Sequence, residues 1–379
     1  MKFNKLKLNA ITLGLGLWLA VVSITGCANQ PVLKDALAKD FLIGTALNTD
    51  QIEGRNLKEA EIIAGQFNAI TPENSLKWGK VHPEPDRYDF AAADQFVALG
   101  QKNKMFIVGH TLVWHSQTPA WVFNDADGNP ATREQLLARM KDHIFTVVGR
   151  YKGQINGWDV VNEAITENGT LRKSRWRDII GEDYIEKAFE YAHEADPEAE
   201  LYYNDYDMWK ADHRDGVIRL VKSLQAKGLR VDGIGMQGHW GLDYPPLDEA
   251  ETAIVAYAAL GDVMITEMEI TVLPIANRDT GAEISQRVEL RKELNPYPNG
   301  LPEEMQQKLT ARYAEIFALF HKHADKISRV TLWGVQDGNS WRNYWPVEGR
   351  MDYPLLFDRD CKPKPAFDAV IKAVQSEAK

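Results

Sequence analysis

Cysteine is scarce in this chain of 379 residues, which contains only Cys27 and Cys361. Two cysteines cannot form the disulfide framework on which small secreted domains depend. Cys361 lies between Asp360 and Lys362, with no histidine base beside it. The sequence therefore argues against a disulfide-stabilised fold and against a thiol enzyme.

Positive charge is in deficit as well, because 44 lysine and arginine residues face 54 aspartate and glutamate residues, a formal net charge of −10. A nucleic-acid partner requires a basic surface, so this balance argues against one. Hydrophobic residues make up 44% of the chain and charged residues 26%, as in ordinary globular proteins. The 11 tryptophans are more than a plain core requires, and rings of this kind also stack on sugars.

Long apolar runs are missing except near the start, where residues 10–22 are apolar and follow three lysines. This run is shorter than the ~20 residues of a membrane-spanning helix, and the arrangement is that of a bacterial export signal. Residues 24–27 (Ile-Thr-Gly-Cys) resemble a lipobox, in which small residues precede a cysteine that becomes lipidated. A plain signal peptide with an incidental cysteine, or an uncleaved anchor, is the alternative.

We therefore predict a lipoprotein signal peptide over residues 1–26, a lipidated Cys27 with a short linker to residue 40, and one folded domain over residues 41–379. Ala28 follows the cysteine in place of the aspartate that tends to retain bacterial lipoproteins at the inner membrane. By this resemblance we expect a protein of the bacterial cell envelope, held by a lipid anchor in the outer membrane. We also expect the protein to be a monomer.

Short apolar runs recur along the rest of the chain, separated by stretches with the apolar spacing of amphipathic helices. The runs that we interpret as strands are residues 41–47, 67–71, 105–111, 155–161, 200–204, 233–237, 263–267 and 330–334. Helical spacing is clearest in residues 133–151, 181–195, 214–227 and 303–324. Strand and helix in alternation, eight times, predict an α/β protein with a single (β/α)8 barrel. The alternative, an open doubly wound sheet, would carry a glycine-rich phosphate turn after the first strand, and none is present there.

Polar residues cluster where the predicted strands end. In chain order they are Glu73, Asn74, Lys77, His110, Trp114, His115, Asn162, Glu163, residues 203–205, Gln237, His239, Glu267, Trp333, Gln336 and Asp337. In a barrel these positions share the C-terminal face, where active sites lie. Since buried strands are otherwise apolar, polarity confined to one end predicts a ligand site.

Two glutamates, Glu163 and Glu267, end the fourth and seventh predicted strands and would face each other across the barrel mouth. Glycoside hydrolysis requires such a pair, one to protonate the leaving oxygen and one to attack or to activate water. Glu163 alone could be a structural ion pair, and Glu267 could lie on a solvated face, although barrel strands are buried on both faces. Asn162 could bond a sugar 2-hydroxyl, Gln237 could orient Glu163, and His239 could hold Glu267 ionised.

Residues 158–164 (Trp-Asp-Val-Val-Asn-Glu-Ala) and 265–267 (Ile-Thr-Glu) resemble the acid/base and nucleophile signatures of glycoside hydrolase family 10, the retaining endo-β-1,4-xylanases. The resemblance extends from residue 41 to residue 373. Further matching segments are residues 71–74, 77–78, 109–115, 201–206, 237–239, 333–337, 340–341 and 362–366. An Asn-Glu pair alone is shared with other barrel glycosidases, but so many motifs in family order leave little room for coincidence.

The resemblance implies endo-acting hydrolysis of xylan and xylo-oligosaccharides without a cofactor or metal, with Glu163 as the acid/base and Glu267 as the nucleophile. It implies that the glycone sugars are hydrogen-bonded by Glu73, Asn74, Lys77 and His110. The walls around the sugar would be Trp114, Trp333 and Trp341, and the aglycone platform would be Tyr203. Further contacts would come from Asn162, Gln237 and His239. His115 and Asp159 would support ligands rather than bind substrate.

Some positions depart from the family pattern. Ser75 replaces an acidic residue, Gly238 a common serine, and residues 268–269 (Met-Glu) the usual Leu-Asp, but no catalytic group is lost. The stretch that contains Arg342 and Arg350 is more distinctive. One hypothesis is that either arginine pairs with an acidic xylan decoration such as a uronic acid. The alternative is an ordinary solvated arginine on a variable loop.

Two rival functions stay open. The same barrel could cleave cellulose or another β-glucan, although Lys77 and Trp341 lie where family members crowd out a sugar hydroxymethyl group. The protein could instead be a surface lipoprotein that binds glycans at a dead site, which the presence of both carboxylates argues against. Residues 277–300 are expected to form a charged surface loop and helix without a metal site.

Overall fold

The computed structural model describes residues 31–276 and 283–375. The predicted signal peptide, Cys27 and part of the 277–300 segment lie outside these ranges. The strands are β1 (Leu42–Leu47), β2 (Ala69–Pro72), β3 (Phe106–Trp114), β4 (Gly157–Asn162), β5 (Glu200–Asp205), β6 (Gly233–Met236), β7 (His239–Gly241), β8 (Asp262–Thr271) and β9 (Ile327–Leu332).

Eight of these strands close into a parallel barrel. Strand β1 pairs with β2 on one side and with β9 on the other, and the pairing of β6 with β8 completes the ring. The short β7 adds to β8 beyond the ring, in a register that sets His239 opposite Glu269. The predicted (β/α)8 barrel is confirmed, and the open doubly wound sheet is wrong because an open sheet lacks the closing pair.

All the predicted strands are present, but two of them are longer than the sequence pattern suggested. Strand β3 continues to Trp114 and β8 continues to Thr271. The extra length of β8 carries Glu269 into the sheet, where its side chain is fully buried. For these two strands the predicted end was therefore too early, by three residues in β3 and by four residues in β8.

Helices cover the outside of the barrel. They are α1 (Leu33–Ala36), α2 (Thr49–Ile52), α3 (Leu57–Gln66), α4 (Trp78–Val81), α5 (Ala91–Lys102), α6 (Ala120–Phe123), α7 (Arg133–Arg150), α8 (Arg175–Ile180), α9 (Tyr184–Ala195), α10 (Ala211–Ala226), α11 (Leu247–Ala258), α12 (Glu303–Lys322) and α13 (Pro365–Gln375). Short 3₁₀ turns lie at Lys292–Leu294, Asp337–Asn339 and Trp341–Asn343. Within the described ranges, none of these helices combines the length and apolar character that membrane crossing requires.

Helix α7 illustrates how the local sequence builds the outer layer. Thr132 and Gln135 form a reciprocal capping box at its start, which satisfies two backbone N–H groups that the first turn leaves unpaired. Leu136, Met140 and Ile144 then recur at helical spacing and are fully buried against the barrel. Packing of this apolar face, rather than intrinsic propensity, holds the helix in place.

A glycine in β3 determines how closely β4 packs against it. Gly109 lies opposite Trp158 in the β3–β4 register, and a Cβ atom on Gly109 would lie 2.1 Å from the Trp158 ring. The absence of a side chain at Gly109 therefore lets the indole of Trp158 lie flat inside the core. Trp158 begins the segment that ends in Glu163, so this packing helps to set the depth of that carboxyl group.

Candidate active site

A cleft of about 1570 Å³ opens at the C-terminal ends of the barrel strands. Except for Tyr203, the site residues predicted within the described ranges all line it: Glu73, Asn74, Lys77, His110, Trp114, Asn162, Glu163, Gln237, His239, Glu267, Trp333 and Trp341. The polarity that the sequence concentrates at the strand ends is therefore gathered into one concave site.

Glu163 is held rigidly just after β4. Its backbone has a φ of +58°, in the left-handed region that costs free energy for a residue with a side chain. Its N–H donates to the carbonyl of Asn204 at 2.9 Å, and Nε of Arg172 donates to its carbonyl at 2.8 Å. Its carboxyl oxygens accept from Nε2 of Gln237 and from Nε1 of Trp114, both at 2.8 Å. Arg172, which the sequence analysis did not single out, thus fixes the backbone of a central acid.

The environment of Glu163 favours its protonated form. Burial raises the pKa of Glu163 to about 7, and the negative charges of Asp205 and Glu267 act in the same direction. The hydrogen bonds from Gln237 and Trp114 oppose this rise without cancelling it. A carboxyl group with this pKa can hold a proton near neutral pH and release it to a nearby oxygen.

The raised pKa of Glu163 makes a prediction about stability. The stabilisation linked to protonated Glu163 is complete below its ordinary pKa of 4.5 and is lost as the pH rises through about 7. Glutamine does not titrate, so Glu163→Gln keeps its free energy of unfolding where the wild type loses part of it. The difference, variant minus wild type, should therefore increase by up to about 3 kcal/mol between pH 4 and pH 8. Urea denaturation at both pH values measures the change. The exposed Glu198→Gln is the matched control, and an equal pH dependence in all three proteins would contradict the assignment.

Glu267 has the opposite electrostatic environment. Oε1 of Glu267 accepts from Nδ2 of Asn204 at 2.8 Å, and Oε2 lies 3.2 Å from Nε2 of His239. Burial alone would raise the pKa of Glu267, but the hydrogen bond from His239 and the charges of His110, His239 and Lys77 outweigh burial and lower it. Glu267 is therefore ionised where Glu163 is not, although both lie in the same cleft.

His239 lies between two carboxylates. Its Nε2 faces Glu267 and its Nδ1 lies 2.7 Å from Oε1 of Glu269. An ionised carboxylate only accepts hydrogen bonds, so both ring nitrogens must donate, and the ring is an imidazolium. Burial lowers the pKa of His239, but the charge of Glu269 and the hydrogen bonds that the ring donates to both carboxylates raise it to about 9. The expected contact of His239 with Glu267 is present, and a solvated face for Glu267 is ruled out because that residue is buried.

Asn204 connects the two halves of the site. Its Nδ2 donates to Asn162 at 2.9 Å as well as to Glu267, and its Oδ1 accepts from Thr266 at 2.6 Å. Asn162 also accepts from Gln237 at 3.4 Å, so the amide nitrogen of Asn162 is the group that can meet a ligand in the cleft. The sequence placed Asn204 at a strand end but did not assign it to the site.

A buried lysine lies beside the two central acids. The Nζ atom of Lys77 is 3.4 Å from Oδ1 of Asn74 and 4.9 Å from the centre of the Trp114 ring. Burial lowers the pKa of Lys77, while the charges of Glu267 and Glu73 oppose the change. Burial likewise raises the pKa of Glu73, against the charge of Lys77. Such groups can exchange partners with sugar hydroxyls at little cost, because they are already desolvated.

His110 is supported from below by an aspartate, as the sequence suggested. Nδ1 of His110 lies 2.8 Å from Oδ2 of Asp159, and both side chains are buried. Trp333 packs edge-on against His110, with ring centres 5.4 Å apart, and against His239 at 6.2 Å. Asp159 and His115 do not line the cleft. This geometry agrees with a supporting role for Asp159.

The assignment of Tyr203 as an aglycone platform is wrong. Its side chain is 0% exposed, and its hydroxyl accepts from the backbone N–H groups of Ala164 and Ile165, both at 3.1 Å. Along β5 it points away from the barrel interior, into the layer between strands and helices. Tyr206 lines the cleft instead, and its hydroxyl donates to Glu167 at 2.5 Å.

Neither arginine of the distinctive stretch is a free cation. Nε of Arg342 donates to Oε1 of Glu269 at 2.7 Å, and the Arg342 side chain is 11% exposed. Arg350 is 3% exposed and donates to the carbonyls of Arg342 and Trp345. A solvated arginine is therefore wrong for both residues, because each is largely buried and bonded within the protein. Recognition of an acidic xylan decoration stays a prediction, since Arg342 also lines the cleft.

The segment expected to be a surface loop and helix forms part of the cleft wall. Among residues 283–300 the only helical element is the 3₁₀ turn Lys292–Leu294, so the predicted helix is wrong there. Ile284, Arg287 and Tyr297 line the cleft, and the carbonyl of Ile284 accepts from Nε1 of Trp345. The charged residues of this segment led to the prediction of a surface loop, although its apolar residues pack against the neighbouring loop.

A parallel (β/α)8 barrel whose mouth holds one protonated and one ionised glutamate, linked through Asn204 and bordered by tryptophans, has the arrangement of a barrel glycosidase. Comparison with known proteins agrees with this class. The model for "Glycosyl hydrolase family 10" matches residues 32–373. This chain therefore belongs to glycosyl hydrolase family 10.

Individual relatives match over nearly their whole length. Endo-1,4-beta-xylanase A of Xylanibacter ruminicola is 49% identical over 359 residues, which cover 94% of this chain and 97% of the relative. The endo-1,4-beta-xylanase of Geobacillus stearothermophilus is 43% identical, with 91% and 99% covered. A solved GH10 endoxylanase retrieved from a sugarcane soil metagenome is 45% identical, with a TM-score of 0.86 and with 91% and 100% covered.

Proposed function

We propose that this protein hydrolyses internal β-1,4-xylosidic bonds of xylan and xylo-oligosaccharides with retention, Glu163 being the acid/base and Glu267 the nucleophile. The names of the two relatives support the substrate. One observation carries the roles: the pKa of Glu163 is raised to about 7 while that of Glu267 is lowered. Paired groups whose environments separate their pKa values in this way divide into acid and base.

In the first step, Glu267 attacks the anomeric carbon while Glu163 gives its proton to the glycosidic oxygen. The bond between the anomeric carbon and that oxygen breaks, and the aglycone leaves as an alcohol. Asn162 offers its amide group to the sugar 2-hydroxyl, a contact that strengthens towards the oxocarbenium-like transition state. The tryptophans of the wall exclude water, so that the carboxylate of Glu267 meets the sugar without solvent competition.

In the second step, Glu163, now ionised, takes a proton from water as that water attacks the anomeric carbon. The ester to Glu267 breaks, and two inversions restore the original configuration. His239 and Asn204 hold the departing carboxylate of Glu267 and stabilise its returning charge.

Anomeric products test the proposed stereochemistry. Proton NMR of a xylohexaose digest should show the β-anomer first, with the α-anomer appearing only through mutarotation. Initial formation of the α-anomer would mean inversion and would remove the nucleophile role from Glu267. Release of reducing ends from xylan in a parallel digest would exclude a dead glycan-binding site.

Aryl glycosides test the choice between xylan and glucan. Lys77 and Trp341 line the cleft, and by resemblance to the family they stand where a sugar hydroxymethyl group would be crowded out. We expect kcat/KM for an aryl xylobioside to exceed that for the matching cellobioside by about 10-fold or more, since exclusion of one carbon group is worth 1–3 kcal/mol. Equal rates, or faster cleavage of the cellobioside, would contradict the proposed specificity.

We also propose a monomer anchored to the outer membrane through lipid on Cys27. The proposal rests on the export-signal pattern and the Ile-Thr-Gly-Cys segment at residues 24–27. Labelled palmitate should enter the wild type but not Cys27→Ala, and the labelled protein should fractionate with outer membrane. Incorporation of label into both proteins, or into neither, would contradict the proposal.

A further inference from the structure

Four buried charged groups of alternating sign form a row behind the cleft. Oε2 of Glu267 lies 3.2 Å from His239, whose other nitrogen lies 2.7 Å from Glu269, and Glu269 in turn accepts from Nε of Arg342 at 2.7 Å. Exposure of these side chains is 6%, 18%, 0% and 11% in that order. With every group ionised, the row carries no net charge.

Arg342 is fixed at the far end of the row. Its guanidinium carbon lies 5.1 Å from the centre of the Trp341 ring, and Trp341 itself donates to the second oxygen of Glu269 at 3.0 Å. The carbonyl of Arg342 accepts from Nε of Arg350 at 2.7 Å. Glu269 therefore accepts hydrogen bonds from three donors, which are His239, Arg342 and Trp341. Of these donors, His239 and Arg342 carry a full positive charge.

We propose that Arg342 is a positioning residue for the nucleophile, acting through Glu269 and His239 to hold Glu267 ionised and oriented for attack. The inference rests on the proposed function, in which Glu267 is the nucleophile. Without Arg342, Glu267 and Glu269 would share one imidazolium, and the buried row would carry a net charge of −1. An uncompensated buried charge is costly, so one carboxyl group would take up a proton at a higher pH than in the wild type.

The other charged groups around the row do not replace Arg342. Asp352 and the hydroxyl of Tyr244 face Arg342 itself, and Asp352 is already bonded to Thr271. Lys77 and His110 act on Glu267 from the cleft side, and Glu73 adds a further acid there. Arg350 is occupied by two main-chain carbonyls. Within the described part of the chain, therefore, no further cation besides His239 stands next to Glu269 to replace Arg342.

The pH dependence of catalysis separates positioning from simple binding. The substrate is an aryl xylobioside with a good leaving group, so that protonation by Glu163 matters little. For Arg342→Met we expect kcat to fall roughly 10-fold to 100-fold and the acidic limb of kcat/KM to move up by about one pH unit. Arg342→Lys keeps the charge and should restore the acidic limb towards its wild-type position. A rise in KM with the acidic limb unchanged would overturn the inference and make Arg342 a substrate contact.

Two further variants guard against a merely structural effect. Arg359→Met loosens the same loop at the carbonyl of Asp352 and removes no bond to Arg342 or Glu269, so its acidic limb should stay at the wild-type pH. In a double-mutant cycle, Arg342→Met should cost little more activity in the Glu269→Gln background, because its target charge is already gone. Additive losses in that cycle would overturn the inference. A wild type that is inactive on every xyloside would instead refute the proposed function.

Discussion

Glu267→Ala is expected to abolish xylan hydrolysis, with kcat reduced by about 10⁴-fold or more, because the covalent route is lost with the attacking carboxylate. The side chain is buried at the end of a barrel strand and is held by Asn204 and His239, neither of which can attack the anomeric carbon. Reducing-end release from xylan measures the loss. Since truncation leaves an internal space, thermal unfolding should be recorded alongside to show that the variant is folded.

A small anion provides the positive control for Glu267→Ala. Azide can enter the vacated space and attack an aryl xylobioside in place of the carboxylate, so that the aryl alcohol leaves and a xylosyl azide forms. A single displacement inverts the configuration, and the azide product should therefore be the α-anomer. Wild-type levels of xylan hydrolysis in Glu267→Ala would contradict the nucleophile role.

Glu163→Ala should lose activity in a manner that depends on the leaving group. On xylan we expect kcat/KM to fall by about 10²- to 10⁴-fold, the contribution of a general acid. An activated aryl xylobioside needs little protonation, so its first step, measured as the burst of aryl alcohol, should be almost unaffected. Equal losses on both substrates would contradict the acid role of Glu163.

The same variant should alter the pH profile. In the wild type, kcat/KM on xylan should fall as the pH rises through about 7, because burial raises the pKa of Glu163 to that value and the ionised form cannot donate. Glu163→Ala removes the titrating group, so the alkaline limb should disappear while the acidic limb stays. Glu163→Gln should behave in the same way, which guards against an effect of the cavity alone.

The barrel could be predicted from sequence because its evidence is local. Each buried strand is a short apolar run, each helix has its own periodicity, and parallel strands must present their C-terminal ends together. The contacts of Gln237 with Glu163 and of His239 with Glu267 also followed, since Gln237 directly follows β6, His239 comes two residues later, and both carry suitable donors. The sequence alone therefore predicts much of the chemistry at the strand ends.

The direction in which an individual side chain points from its strand could not be predicted from the sequence in the same way. Strand β5 is buried on both faces, so apolar character does not tell the inner from the outer face. Tyr202 and Asn204 point into the barrel, whereas Tyr203 points out. Asn204 therefore belongs to the site and Tyr203 does not, which is the reverse of the prediction. The pairing of Arg342 with Glu269 was missed for a related reason: the two residues are 73 positions apart in the chain, and no local pattern links them.

Trapping of the covalent intermediate tests the central assignment most directly. A 2-deoxy-2-fluoro xylobioside with a good leaving group slows both displacements, because fluorine destabilises the oxocarbenium-like transition states, and the activated leaving group lets the first step proceed. Mass spectrometry of the digested protein should find one sugar adduct, on the peptide that contains Glu267, in the wild type and in Glu163→Gln. An adduct on another carboxyl group, or turnover with no adduct at any time, would contradict the account.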